Sequence, residues 1–129
     1  MKAFLKNYRQ SPRKVRLVAD FVRGRRVDDA LLQLQFMPKR AAEAVAKLIS
    51  SAVANAENNF KVAKDDLVID EIRVDEGITM KRFNPVSRGR AHRINKRTSH
   101  INVALAPKKV KESKKDKEPV TKSNETTNA

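Results

Sequence analysis

Apolar positions recur with three different rhythms along this chain, and they divide it into a helical half, a stranded half and a tail. Residues 2–9 alternate. Ala3, Leu5 and Asn7 face one way and Phe4, Lys6 and Tyr8 the other, which predicts a short strand. Ser11 then offers a hydroxyl N-cap and Pro12 a first helical residue. Val15, Leu17, Val18, Phe21 and Val22 follow as a broad apolar helical face, and Gly24 suits a left-handed stop. Arg13, Arg16, Asp20 and Arg23 share the opposite face, and because Arg25 and Arg26 follow at once, a phosphate-contacting ridge is favoured over a merely solvated face. A second, shorter helix is predicted from Val27-Asp28-Asp29, with Asp28 as cap and Val27 as a hydrophobic staple. Ala30, Leu31 and Leu34 point inward, and Phe36-Met37 closes it.

Pro38 opens the longest helix, predicted to run to about Asn59. Its stripe is Ala42, Val45, Leu48, Ile49, Ala52, Val53 and Ala56, small enough in places for a neighbour to approach closely. Met37 is a poor cap, so fraying is expected at the start of this helix. The rhythm then returns to two. Residues 67–75 read as a strand with Val68, Ile72 and Val74 on one face. Residues 97–105 read as its antiparallel partner, with Ser99, Ile101, Val103 and Leu105 alternating against Thr98, His100 and Asn102.

The connection between those strands, residues 76–96, is too long for an idle loop in a compact domain. If the two strands continue into it, it is a hairpin arm. About ten residues a side would project about 30 Å. Pro85 and Gly89 mark the bends near its tip. Residues 107–129 are rich in Lys, Glu, Ser and Thr and predict a disordered basic tail beyond a single domain over residues 1–106.

Charge changes the meaning of the arm. Between Gly77 and Ala106 there is no acidic residue, yet Lys81, Arg82, Arg88, Arg90, Arg93, Lys96 and Arg97 all fall there. Its inner part, residues 97–106, is mainly a strand of the body; its outer part, residues 77–96, is the arm proper, which cannot bury itself and needs a polyanion. A flexible loop with incidental charge is the weaker account of a one-signed run this long. The whole chain has a net charge of +14 in 129 residues, more than solubility requires. Trp is absent and Tyr occurs once, so base stacking is hard to build and phosphate and shape contacts are favoured. No apolar run approaches the length of a membrane span, and no secretory signal segment is visible. The absence of cysteine removes disulfides and thiolate metal sites and makes a cytoplasmic location the default.

Enzyme chemistry finds little support. His92 and His100 would have to act together as acid and base, but one falls near the arm tip and the other on a strand. The acidic pairs Asp65-Asp66, Asp70-Glu71 and Asp75-Glu76 read as surface charge, because a strand does not converge them on a metal. No phosphate-cradling glycine motif occurs. The expectation is therefore no catalytic residue, no metal and no cofactor.

Three segments carry a family resemblance. Ser11-Pro12-Arg13-Lys14-Val15-Arg16-Leu17-Val18-Ala19-Asp20 resembles the first-helix signature of the large-subunit ribosomal proteins numbered twenty-two in the bacterial naming. Ser51-Ala52-Val53-Ala54-Asn55-Ala56-Glu57-Asn58 resembles the long-helix signature. Val74-Asp75-Glu76-Gly77, Met80-Lys81-Arg82, Gly89-Arg90-Ala91 and Lys96-Arg97-Thr98-Ser99-His100-Ile101 resemble the hairpin. The match is collinear over about residues 2–106. It implies an α+β fold, with a small antiparallel three-stranded sheet packed on three helices and a long protruding β-hairpin. It also implies a body near the exit of the peptide tunnel and a hairpin running through 23S rRNA, with Arg88, Gly89, Arg90 and Ala91 as the tunnel-facing tip. Met80, Lys81 and Arg82 would lie in the arm segment that the family links with macrolide resistance. Two departures stand out. Val86 follows the hairpin proline where the family often has Arg, and the tail extends past the usual family end.

The combined expectation is a structural rRNA-binding protein that helps assemble the large subunit and lines the tunnel. Lys81, Arg82, Arg88, Arg90, Arg93, Lys96 and Arg97 would neutralise phosphates along the arm. Arg13, Lys14, Arg16, Arg25 and Arg26 would dock the body. The expected partners are 23S rRNA, other large-subunit proteins and the nascent peptide, with no membrane and no homo-oligomer. The alternative is an architectural DNA-binding protein with a β-arm, for which Pro85 and Val86 could form a wedge.

Overall fold

A computed structural model of the chain describes residues 1–108. It is α+β, with three helices on one face of a three-stranded antiparallel sheet and a separate two-stranded hairpin. The sheet contains β1 (Lys2–Tyr8), β2 (Leu67–Glu76) and β5 (Ser99–Pro107), in the order β1-β5-β2. The last strand is therefore the central one, and Ala3 pairs with Val103 across nearly the whole chain. Its inward residues Ser99, Ile101, Val103 and Leu105 are all buried, as the alternation predicts. The proposed tail lies almost wholly in residues 109–129, outside the described residues, although β5 itself continues through Pro107.

Two bulges break the strand rhythm. On β1 the register slips between Leu5 and Tyr8, with Asn7 at φ 55°. Tyr8 thereby turns to the core side and packs against it, contrary to the face predicted by strict alternation. On β2 the slip falls between Ile69 and Glu71. Buried positions are Leu67 and Ile69 before it and Ile72 and Val74 after it, so the inward parity changes from odd to even. Val68, expected inward with Ile72 and Val74, is instead only partly buried.

Helix α1 (Pro12–Val22) buries Pro12, Val15, Val18, Ala19 and Val22, and Gly24 takes the left-handed stop at φ 73°. Leu17 and Phe21, expected in the core, are 65% and 41% exposed. At about 100° per residue, Leu17 lies opposite the valines, so the buried stripe is narrower than apolar identity alone suggests. Helix α2 (Val27–Phe36) starts one residue before the expected cap. The chain enters it directly from a bridge between Arg26 and Val68. Val27 is thus a buried helical residue rather than a staple, and Asp28 pairs with Lys64 at 2.6 Å rather than capping. Helix α3 (Arg40–Phe60) begins two residues after Pro38 and has no side-chain cap at Lys39. It ends at Lys61 in a left-handed turn, slightly past the expected asparagines. Its predicted stripe is buried throughout, with Ala41 added. Burying each Ile, Leu or Val there stabilises the body by about 1.5–3 kcal/mol.

The free edge of β2 is closed by α1. Gly24 N–H donates to the Ile69 carbonyl, and the Ile69 N–H donates to Arg25 O. Farther along, the Arg23 guanidinium donates to Ile72 O, and Arg16 donates through Nε and Nη2 to Val74 O at 3.1 and 3.0 Å. The arginines whose sequence reading favours a phosphate-contacting ridge thus also partly seal an exposed strand edge.

Candidate nucleic-acid interface

The hairpin comprises β3 (Met80–Pro85) and β4 (Ala91–Lys96), paired from Met80↔Lys96 to Pro85↔Ala91. Its paired part is six residues a side, or about 20 Å. The connecting segments on the body side, around Gly77–Thr79 and Arg97–Thr98, lie outside either strand pair, so the arm is a sheet of its own. The tip is a tight turn in which Val86 N–H donates to Arg90 O. Arg88 and Gly89 both adopt left-handed conformations, at φ 60° and 69°. Arg88, Gly89 and Arg90 therefore form the turn with Val86 and Ser87, while Ala91 is already the first residue of β4.

Every arm side chain is exposed except that of Met80, which is partly so. Cross-strand pairing distributes the cations over both faces. Met80, Arg82, Asn84, His92, Ile94 and Lys96 share one face, whereas Lys81, Phe83, Arg93 and Asn95 share the other. The ion pairs among the described residues are Arg23–Asp20, Lys47–Glu43, Lys64–Asp28 and Arg73–Glu71, all on the body. None involves an arm cation. A ribbon with unpaired cations on both sides can be enclosed by phosphates, whereas a one-faced ribbon could only lie along a groove.

The arm is anchored at a close contact. Gly77 N–H donates to Thr98 O at 2.9 Å, and Thr98 Oγ1 donates to Ile78 O at 2.7 Å. A Cβ on Gly77 would fall 2.4 Å from Thr98 Oγ1 and 3.2 Å from His100 Nε2, so this position needs glycine for space rather than for its φ. His100 Nδ1 accepts a hydrogen bond from Asn7 N–H at the β1 bulge. His92, on the arm beside the tip, pairs with Asn84. Most of the length of the arm separates the two histidines, so they form no acid–base pair.

The five body cations expected to dock do not form a single ridge. Arg13, Lys14 and Arg16 lie on the first turns of α1, and Arg16 reaches the arm end of β2 at Val74. Arg25 and Arg26 lie beside Ile69 and Val68, at the other end of that strand. Arg25 stacks 4.5 Å above the Phe21 ring and donates to Gln33 Oε1, so it is held in place. Lys14 instead joins Arg9, Gln10, Ser11, Arg40, Asn95, Lys96 and Arg97 around a cleft of about 600 Å³ at the arm base. The sequence reading missed Arg9 and Arg40, because the elements that bring them there are distant along the chain.

On the body, the Lys64 ammonium holds the Asp28 carboxyl below its usual range, and Lys47 and Arg73 do the same for Glu43 and Glu71. The acidic pairs are thus partly spent on local partners. Glu71 binds Arg73, and Asp75 accepts from Asn102. Among the described residues no helix is long and apolar enough to cross a membrane.

Comparison of the sequence with known proteins gives it a family. The profile described as "Ribosomal protein L22p/L17e" fits residues 3–106, which span the sheet, the three helices and the whole arm. "Large ribosomal subunit protein uL22" of Desulfitobacterium hafniense strain Y51 is 55% identical over 108 residues, covering 84% of this chain and 95% of the relative. The protein of the same name from strain DSM 10664 / DCB-2 is equally similar over the same shares. With the arm, the sheet and the helices all inside one match, the chain belongs to the L22p/L17e family of ribosomal proteins.

Proposed function

We propose that this protein is a non-enzymatic, structural constituent of the large ribosomal subunit. It binds 23S rRNA, assists subunit assembly and places its hairpin tip in the wall of the nascent-peptide tunnel. The observation that carries this reading is the arm: seven lysines and arginines from Lys81 to Arg97, with no ion-pair partner among the described residues and no core beneath them. Membership in a family of ribosomal proteins supports rRNA as the polyanion such an arm would need, and the relatives carry the large subunit in their names. Lys81, Arg82, Arg88, Arg90, Arg93, Lys96 and Arg97 bind phosphates, Arg forks pairing two oxygens and Lys acting as a point charge. Arg13, Lys14, Arg16, Arg25 and Arg26 hold the body on rRNA, and the turn Arg88–Gly89–Arg90 with Ala91 faces the tunnel. Residues 1–106 act as the single rRNA-binding domain, and 107–129 as an appended basic tail. The other large-subunit proteins and the nascent peptide are further neighbours in this arrangement.

Photocrosslinkers placed at Arg88 and Arg90 in intact ribosomes are expected to capture 23S rRNA. In native extracts the protein is expected with 50S particles; sedimentation with the nucleoid instead would favour an architectural DNA-binding role. Deleting Met80 to Arg82 is expected to alter the tunnel while leaving incorporation largely intact, because arm and body bear separate contacts. Loss of incorporation would refute that division of labour.

A further inference from the structure

We propose that the cleft at the arm base seats a bent stretch of RNA backbone, and that its occupation fixes the direction of the arm relative to the body. The proposal rests on the RNA-binding reading above. Five cations from separate parts of the chain line the cleft: Arg9 after β1, Lys14 on α1, Arg40 at the start of α3, and Lys96 and Arg97 at the foot of the arm. No acidic side chain lines it, and none of the five is in an ion pair among the described residues. Gathering like charges without a counter-charge is unfavourable, and a bound polyanion reverses the sign of that interaction.

A second observation points to the same ligand. Two helix N-termini open at this cleft, at Ser11-Pro12 of α1 and at Arg40 of α3, and neither has a side-chain cap. Lys14 N–H and Ala42 N–H are taken up by the Ser11 and Lys39 carbonyls and Pro12 has none, but the N–H groups of Arg13, Arg40 and Ala41 and the positive dipole ends remain to favour phosphate oxygens. The absence of caps is otherwise a cost to both helices. The α1 first turn contains no acidic residue, and in α3 the one acid there, Glu43, is held by Lys47.

The placement also has a mechanical consequence. Arg9, Lys14 and Arg40 belong to the body, whereas Lys96 and Arg97 belong to the arm and its joint. A backbone segment bound by both sets spans the joint. Without it the arm is held through the two short connections and the Gly77–Thr98–Ile78 hydrogen bonds. Five cations ask for several phosphates in a small space, which a sharp turn of one strand or a crossing of two supplies and a straight duplex edge does not.

The chain lacks cysteine, so spin labels at Asn58→Cys and Ser87→Cys report one body-to-tip distance in the full-length protein. Protein-free 23S rRNA is expected to give a single narrow distance distribution with the parent chain and a broad one with Arg9→Ala/Arg40→Ala. The same pair of changes is expected to lower the salt slope of rRNA binding by about 2, one per charge removed. Arg9→Lys/Arg40→Lys should restore most of that slope. Lys2→Ala/Lys6→Ala, which removes two exposed charges outside the cleft, should leave the narrow distribution in place. Both arginines are exposed, so unchanged melting would show that the alanine variant folds. A narrow distribution and an unreduced slope in Arg9→Ala/Arg40→Ala would overturn the proposal while leaving the RNA-binding reading intact. No rRNA binding by the parent chain would instead overturn that reading and this inference with it. Narrowing by inorganic phosphate alone would refute the requirement for an RNA backbone.

Discussion

Ile101 and Ile94 are the same side chain, seven residues apart, in strands of the same chain. Ile101 lies on the central strand of the body and is fully buried, whereas Ile94 lies on the arm and is 43% exposed. The first is surrounded by this protein and the second awaits another molecule. The contrast extends to charge. Several body cations also serve the fold itself: Arg16 and Arg23 bond carbonyls along the β2 edge, Lys64 tethers Asp28 and Arg25 covers Phe21. On the arm the one such bond among the described residues is local, from Arg82 Nη1 to the carbonyl of its neighbour Lys81. In one chain, then, the body divides its cations between the fold and a partner, whereas the arm leaves nearly all of its cations to a partner.

The largest effect should come from truncating the two isoleucines in parallel. Ile101→Ala is expected to cost about 2–5 kcal/mol of unfolding free energy, through lost burial and the cavity left behind. Ile94→Ala should cost about 0.5 kcal/mol or less. Denaturant unfolding measures both, and comparable losses would erase the distinction between body and arm. Next comes the joint. Gly77→Ala should destabilise by about 1–3 kcal/mol, because its new methyl meets Thr98 Oγ1. Adding Thr98→Ala should recover part of that loss; strictly additive costs would mean the close approach is not what selects glycine.

A smaller effect tests the edge seal. Arg16→Ala strips a guanidinium from Val74 O and should cost about 1 kcal/mol, with no compensating change from Arg13→Ala, for which no such bond is formed. Equal effects would remove the sealing role. The smallest concerns Asp28. Its side-chain hydrogen bond to Lys64 depresses its folded carboxyl pKa, so the contribution is present above the ordinary unfolded value of about 4 and lost as pH falls through the folded value. The melting difference between the parent and Lys64→Met should therefore be visible at neutral pH and vanish in acid. A difference that persists there would mean Lys64 acts through packing.

Much of the architecture was legible because local rhythm and punctuation agreed. The α3 stripe from Ala42 to Ala56, the Pro12 start, the Gly24 stop and the β5 alternation all reappear as predicted, although the Ser11 hydroxyl makes no capping bond. Two of the misplacements share a cause. Val68 and Tyr8 were assigned faces by strict alternation, and a single extra residue in each strand reversed the parity beyond it. Leu17 and Phe21 were placed inside by identity, but a helix presents to the core only the sector opposite its neighbour. Arg16 and Arg23 read as part of a phosphate-contacting ridge, because no local pattern announces a strand edge beside them.

The sequence by itself determined that this protein has a self-burying body and a cationic segment that cannot bury itself. Apolar spacing and one-signed charge are local properties, carried by residues within a few positions of one another. Tertiary structure alone decided that the last strand lies at the centre of the sheet, that α1 closes the β2 edge, and that Arg9, Lys14, Arg40, Lys96 and Arg97 meet in one cleft. Those outcomes depend on pairings across nearly the whole chain, such as Ala3 with Val103, which no local window contains.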